Sequence, residues 1–117
     1  MGNLFRFVEP LILLGLRNQP GASGYDILAN LDGHTLTGTT IDKAAVYRAL
    51  AVLEANGMTE VEWTESVRGA GRKSYRLTTK GVDHLAEWTD LLNGLAAGLR
   101  DFVKDARTKP SVVRKAK

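Results

Sequence analysis

The sequence predicts a mostly α fold with a small β-hairpin, set between three short helices and one long one. Three observations carry this. The stretch 42–57, DKAAVYRALAVLEANG, places Val46, Leu50 and Leu53 at i, i+4 and i+7, on one face of a helix. Two period-two segments, Thr59–Thr64 and Ser74–Thr78, flank a tip that holds Gly69 and Gly71. Finally, Leu85, Trp88, Leu92, Leu95, Leu99 and Phe102 recur at spacings of 3, 4, 3, 4 and 3, a heptad seam along one helix.

The first helix is expected over Leu4–Arg17, where Leu4, Val8, Leu11, Ile12 and Leu16 repeat at helical spacing. Pro10 falls inside it, as a kink or as the first position of a helix that starts near Glu9. Asn18–Ala22 contains Pro and Gly and reads as a turn. Ser23 then caps a second helix, with Asp26 three residues on as a weak form of the capping box. Ile27, Leu28 and Leu31 supply its buried face, and 32–41, rich in Gly and Thr, reads as a loop with one short strand at most.

Asp42 is the expected N-cap of the third helix, because its carboxylate can accept a bond from a first-turn N–H. Gly57 takes the left-handed position that ends it. Lys43, Tyr47 and Arg48 lie off the apolar stripe toward the leading end, and Glu54 is the one acid of the helix body. A helix with a basic, aromatic leading end suits insertion into a DNA groove; a solvated helix with two surface cations is the plainer reading. In the hairpin, Val61, Trp63, Tyr75 and Leu77 are expected inward, and Glu60, Glu62, Ser74 and Arg76 outward. A helix–turn–helix pair followed by a basic hairpin is the order of a winged helix. The last helix is expected to start near Thr78 or Thr79 and run to about Asp105. Gly94 and Gly98 weaken it by about 1 kcal/mol each relative to Ala, while leaving room for close helix crossing or a gap between subunits.

At 117 residues the chain is one domain. It has no Cys, which removes disulfides, thiolate metal sites and thiol nucleophiles and fits a reducing cytoplasm. The longest apolar run, Leu11–Leu16, is far short of the ~20 residues of a membrane span, and Arg6 and Glu9 break any signal-peptide pattern. Net charge is only +3, but it is unevenly placed. Residues 104–117 hold six Lys/Arg against one acid, and residues 66–80 hold five (Arg68, Arg72, Lys73, Arg76, Lys80) against none. Two such stretches in an otherwise mildly acidic chain point to a polyanionic partner. His84, with Asp83 and Glu87 close in sequence, is too thin a set for a closed metal site in a chain with two His and no Cys. No nucleophile–base set, paired acid and base, or phosphate-binding glycine loop is present, so the chain reads as a non-enzyme that needs no cofactor.

These stretches resemble the PadR family of bacterial transcriptional regulators, and its compact subgroup with a single C-terminal helix. The matching pieces are EPLILLGL, SGYDILANL, AVYRAL with VLEANGM, EVEWTES and GRKSYRLTTKG, in the family's order over roughly residues 9–82. The resemblance implies a winged helix–turn–helix domain (1–78), a dimerisation helix (79–105) and a basic tail (106–117). It further implies a homodimeric, cytoplasmic repressor of a palindromic double-stranded DNA operator. Tyr47 matches the family's recognition-helix Tyr, Tyr25 its Gly-Tyr step, and Arg72 and Lys73 its basic wing pair. The chain departs from the pattern where Asp42, Lys43 and Ala44 replace Ser-Pro-Gly or similar. It departs again at Arg48, where Pro is common, at Ala51 and Val52 in place of an Arg pair, and at Ser74 in place of an aromatic.

The expected DNA contacts are therefore Lys43, Ala44, Tyr47 and Arg48 on the recognition helix and Arg68, Arg72 and Lys73 on the wing. Arg48 suits a bidentate guanine contact, Tyr47 a phosphate bond through its hydroxyl, with its ring partly in the core as the alternative. The expected dimer interface is the seam Leu85, Trp88, Leu92, Leu95, Leu99 and Phe102. Some compact family members bind flat hydrophobic molecules between subunits, which makes Trp88, Leu92 and Leu95 candidate contacts for a small hydrophobic or aromatic effector; a plain dimer-core role for Trp88 is the competing reading. The competing function is a winged-helix protein-interaction module that does not bind DNA.

Overall fold

The computed structural model of the chain describes residues 7–31, 36, 38, 40, 42–65 and 71–108. They form α1 (Val8–Asn18), β1 (Ala22–Ser23), α2 (Gly24–Asn30), α3 (Lys43–Ala55), β2 (Thr59–Glu65), β3 (Gly71–Leu77) and α4 (Thr79–Arg107). This is the mostly α architecture with a small hairpin that the sequence predicts, and α4 follows the wing as expected.

Helix boundaries follow from local chemistry. In α1, Pro10 is the third helical residue, where a backbone N–H has no acceptor one turn back, so the missing donor costs nothing. Pro10 thus sits in the first turn and does not kink the helix; Leu4, the expected start, lies outside the described residues. Phe7 precedes the helix with φ 50° and ψ 49°, a left-handed conformation costing a non-glycine residue about 1–3 kcal/mol. The cap of α2 is stronger than its sequence suggests. Ser23 Oγ accepts from Asp26 N, and Ser23 N donates to an Asp26 carboxylate oxygen, both at 3.1 Å.

Asp42 caps α3 by accepting from Ala44 N at 3.0 Å. At the far end Gly57 takes φ +74°; its N–H bonds to Glu54 O, and Met58 N bonds to Leu53 O. That is a complete Schellman stop. Thr78 caps α4 by accepting from Gly81 N, while its hydroxyl donates to Gly57 O at 2.7 Å. The end of α3 and the start of α4 are therefore tied. Gly81 makes this contact possible, since a Cβ there would lie 2.1 Å from the Met58 carbonyl oxygen.

The sheet has the order β1-β3-β2, all antiparallel. β1 pairs Ala22 with Tyr75 and Ser23 with Ser74. The residues expected to form only a turn thus end in a strand that docks the start of α2 on the hairpin. Ile12, Leu13 and Leu16 of α1, Val46, Leu50 and Leu53 of α3, Ile27 of α2 and Tyr75 of β3 form the core.

Trp63 departs from the expected inward face. It is 67% exposed, although Val61 on the same face packs against the core. Val61 pairs with the buried Tyr75, whereas Trp63 pairs with Lys73, one step beyond the helices. Its ring covers Gly71 instead, where a Cβ would sit 3.1 Å from a ring carbon.

The 29 residues of α4 give it a length of about 43 Å. Exposure climbs along its seam, from 9% at Leu85 through 41% at Leu95 to 70% at Phe102. Leu85 belongs to the core of its own chain, which removes it from the surface that a second chain can cover. Leu91 and Val103, absent from the seam, are exposed as well.

Candidate nucleic-acid interface

The leading half of α3 presents Lys43, Ala44, Tyr47 and Arg48 to solvent, while Val46 and Leu50 hold the helix in the core. Tyr47 is fixed as well as exposed. Its ring lies against Gly24 at the start of α2, where a Cβ would come within 2.6 Å of a ring carbon. One side of the ring is thus packing, and 40% of the residue stays accessible.

The wing cations are held by acids of the chain itself. Arg72 Nη2 lies 2.5 Å from Asp26 Oδ2, so β3 reaches the first turn of α2. Asp26 titrates below the usual carboxylate range. The Ser23 backbone bond does most to favour its charge, burial opposes this, and the Ser23 side chain and Arg72 add to it. Lys73 Nζ lies 3.2 Å from Glu54 Oε1 near the end of α3, and 5.9 and 5.4 Å from the ring centroids of Trp63 and Tyr75. The bond to Glu54 raises the Lys73 pKa against the effect of burial, and Tyr75 adds to it. Both pairs are partly exposed, and such pairs contribute only about 0–1 kcal/mol. They are weak enough to exchange for a stronger anion.

The expected contact residues therefore fall into groups. Tyr47 and Arg72 meet the start of α2 from two elements, on Gly24 and Asp26. Lys73 is engaged at the opposite end of α3. Arg48 stands on another flank, in a cleft of about 390 Å³ between α3, Phe7, Val8 and Trp88. Arg68, at the wing tip, and the tail beyond Thr108 lie outside the described residues.

Trp88, expected on the seam, is half-buried against its own chain. Its indole N–H donates to Glu9 Oε1 at 2.7 Å, and Phe7 meets its ring edge-on at 6.0 Å. The same Glu9 oxygen lies 2.5 Å from His84 Nε2, and His84 Nδ1 lies 3.2 Å from Glu87. Burial works against the charged imidazole, but the bonds to Glu9 and Glu87 outweigh it and raise the His84 pKa. Trp88 and Leu92 share a smaller hollow of about 170 Å³ with Leu11 and Leu14 of α1; Leu95 does not line it. Among the described residues there is no His/Cys/Asp/Glu group able to hold a metal ion, and no helix is long and apolar enough to cross a membrane.

Sequence reasoning missed Asp26, Glu54 and Glu9 as partners. Their contacts with Arg72, Lys73 and His84 span 46, 19 and 75 positions, and no local pattern reports them.

The model of the transcriptional regulator PadR-like family matches residues 12–87, about two thirds of the chain. Among solved structures, the chain is similar to a PadR family transcription regulator from hypervirulent Clostridium difficile. They share 21% identity and a TM-score of 0.69 over 83% of this chain and 98% of that one. A PadR-like transcriptional regulator from Bacillus cereus is 22% identical, with a TM-score of 0.69 over 88% and 97% of the two chains. A PadR family transcriptional regulator from Eggerthella lenta is 26% identical, with a TM-score of 0.67 over 85% and 83%. No curated protein sequence matches.

Proposed function

The chain belongs to the PadR-like family of transcriptional regulators, and from that premise we propose that it is a homodimeric, cytoplasmic repressor. Its paired α3 helices bind a palindromic operator in double-stranded DNA, and a small hydrophobic or aromatic effector at the dimer interface releases it. The observation that carries the dimer is the graded exposure of the α4 seam. Leu95, Leu99 and Phe102 form an apolar stripe that the other described residues leave largely exposed, on a helix that outreaches the core. Trp88, Leu92, Leu95, Leu99 and Phe102 then form the interface, with Leu85 left to the core. The winged domain over 1–78 reads DNA, residues 79–105 of α4 join the protomers, and 106–117 is a basic tail that begins in the last turn of α4.

Two recognition helices related by a two-fold axis meet half-sites about 34 Å apart, one turn of DNA. Lys43, Ala44, Tyr47 and Arg48 face the groove, and Arg68, Arg72 and Lys73 meet the backbone beside it. An effector that binds two arrangements of α4 unequally changes that separation and with it the affinity. The hollow that Trp88 and Leu92 share with α1 is the candidate place for it.

One observation favours a second reading. Arg72 and Lys73 are both engaged by acids of the same chain, as in a wing that never meets DNA and belongs to a protein-interaction module. A mobility-shift titration on DNA from upstream of the protein's own gene, with particle mass followed by light scattering, separates the two. A retarded complex of two protomers per duplex supports the repressor. A dimer that shifts no DNA at low salt supports the interaction module.

A further inference from the structure

The oxygen of Asp26 that receives Arg72 is already in use. Oδ2 accepts the Ser23 backbone N–H at 3.1 Å in the α2 capping box, and Arg72 Nη2 approaches the same atom at 2.5 Å. The capping bond is local, between residues three apart. The Arg72 bond is not local, and its side chain is about half exposed. A guanidinium binds carboxylate and phosphate oxygens through the same N–H fork, so each is a competitor for the other. Beside this pair stand the exposed Tyr25, also at the start of α2, and Tyr47, packed on Gly24. Arg72 thus meets the same first turn of α2 as the recognition-helix tyrosine, with an intramolecular anion in its grip.

We propose that Asp26 sets DNA affinity by competing with a backbone phosphate for Arg72. In the free protein Arg72 is parked on Asp26; on DNA it exchanges that carboxylate for phosphate, and Asp26 falls back on its capping bond. The proposal rests on the DNA-binding reading above. It adds a residue that opposes binding, so that removing it improves the protein. Exchange also mutes the salt response, because a cation already neutralised by Asp26 releases less counterion than a free one.

The experiment is a fluorescence-anisotropy titration of full-length protein on a labelled duplex from upstream of its own gene, at several salt concentrations. Wild type, Asp26→Asn, Arg72→Gln and the double variant are compared. Asn keeps an acceptor for the Ser23 N–H, and Asp26→Gln, which also suits this position of a capping box, serves if Asp26→Asn unfolds. The expected result is about two- to five-fold tighter binding by Asp26→Asn, the range an exposed ion pair supplies. Its log–log salt slope should be steeper by less than about one unit per protomer, since Arg72 in the wild type still releases part of its counterion, and the gain should vanish in the Arg72→Gln background. Wild-type binding with no gain in Asp26→Asn, or an equal gain without Arg72, overturns the competition and leaves the DNA-binding reading standing. Absence of salt-dependent binding by every variant overturns both.

Discussion

His84 Nε2 lies 2.5 Å from Glu9 Oε1, and this contact joins α4 to α1 across 75 positions of chain. Trp88 donates to the same oxygen, and Glu87 receives the other side of the imidazole. A neutral imidazole has one N–H and cannot donate to two carboxylates; only the imidazolium satisfies both. The joint between the DNA-binding half and the long helix is therefore charge-dependent.

A pH dependence follows, and its sign is fixed by the raised His84 pKa. A group whose pKa is higher folded than unfolded contributes stability that is complete below the unfolded value, about 6.5. That contribution fades as pH rises through the folded value. Thermal unfolding followed from pH 5.5 to 8.5 should show Tm falling over the upper part of that range. His84→Gln should flatten the profile there. A wild-type Tm that rises through this interval contradicts the assignment.

Much of the fold was legible because its signals are local. Ser23, Asp42 and Gly57 act within four residues of where they stand, and the α3 stripe of Val46, Leu50 and Leu53 needs only helical spacing. What sequence did not reveal depends on where the core ends. Val61 and Trp63 share a face by period two, but the pattern cannot say that the helices stop between them. β1 is too short to show any period. The cations of the candidate site were visible as charge, while their acid partners, brought in by tertiary packing, were not.

The junction of α3 and α4 makes a stability prediction. Gly81→Ala places a Cβ against the Met58 carbonyl, a backbone atom that cannot swing away. A loss of about 2–3 kcal/mol in urea unfolding is expected. Gly57→Ala meets open space but keeps φ +74°, and should cost about 1–2 kcal/mol. Equal, small losses at both positions would mean that the two helices are not packed as described.

Gly24→Ala tests the seat of Tyr47. The clash is with the ring of a half-exposed side chain, which can turn aside, so a loss of stability of about 1 kcal/mol is expected. The displaced ring should weaken DNA binding several-fold more than it lowers stability would suggest. Unchanged DNA affinity alongside altered Tyr47 fluorescence would remove Tyr47 from the contact surface.

The seam predicts an effect on assembly rather than on folding. Leu99 and Phe102 are 56% and 70% exposed within one chain, so Leu99→Lys with Phe102→Lys removes little packing of the protomer. Light scattering should report a monomer with the far-UV circular dichroism of a folded helical protein, and DNA affinity should fall with the lost second half-site. A variant that stays dimeric places the interface elsewhere.

The most direct test of the central claim is anisotropy of the wild-type protein on its own upstream DNA, titrated with salt beside Arg72→Ala. Saturation at two protomers per duplex is expected, with affinity falling steeply as salt rises and a weaker, shallower response for Arg72→Ala. Binding that is indifferent to salt, or to Arg72, would contradict a dimeric regulator that uses its wing on DNA.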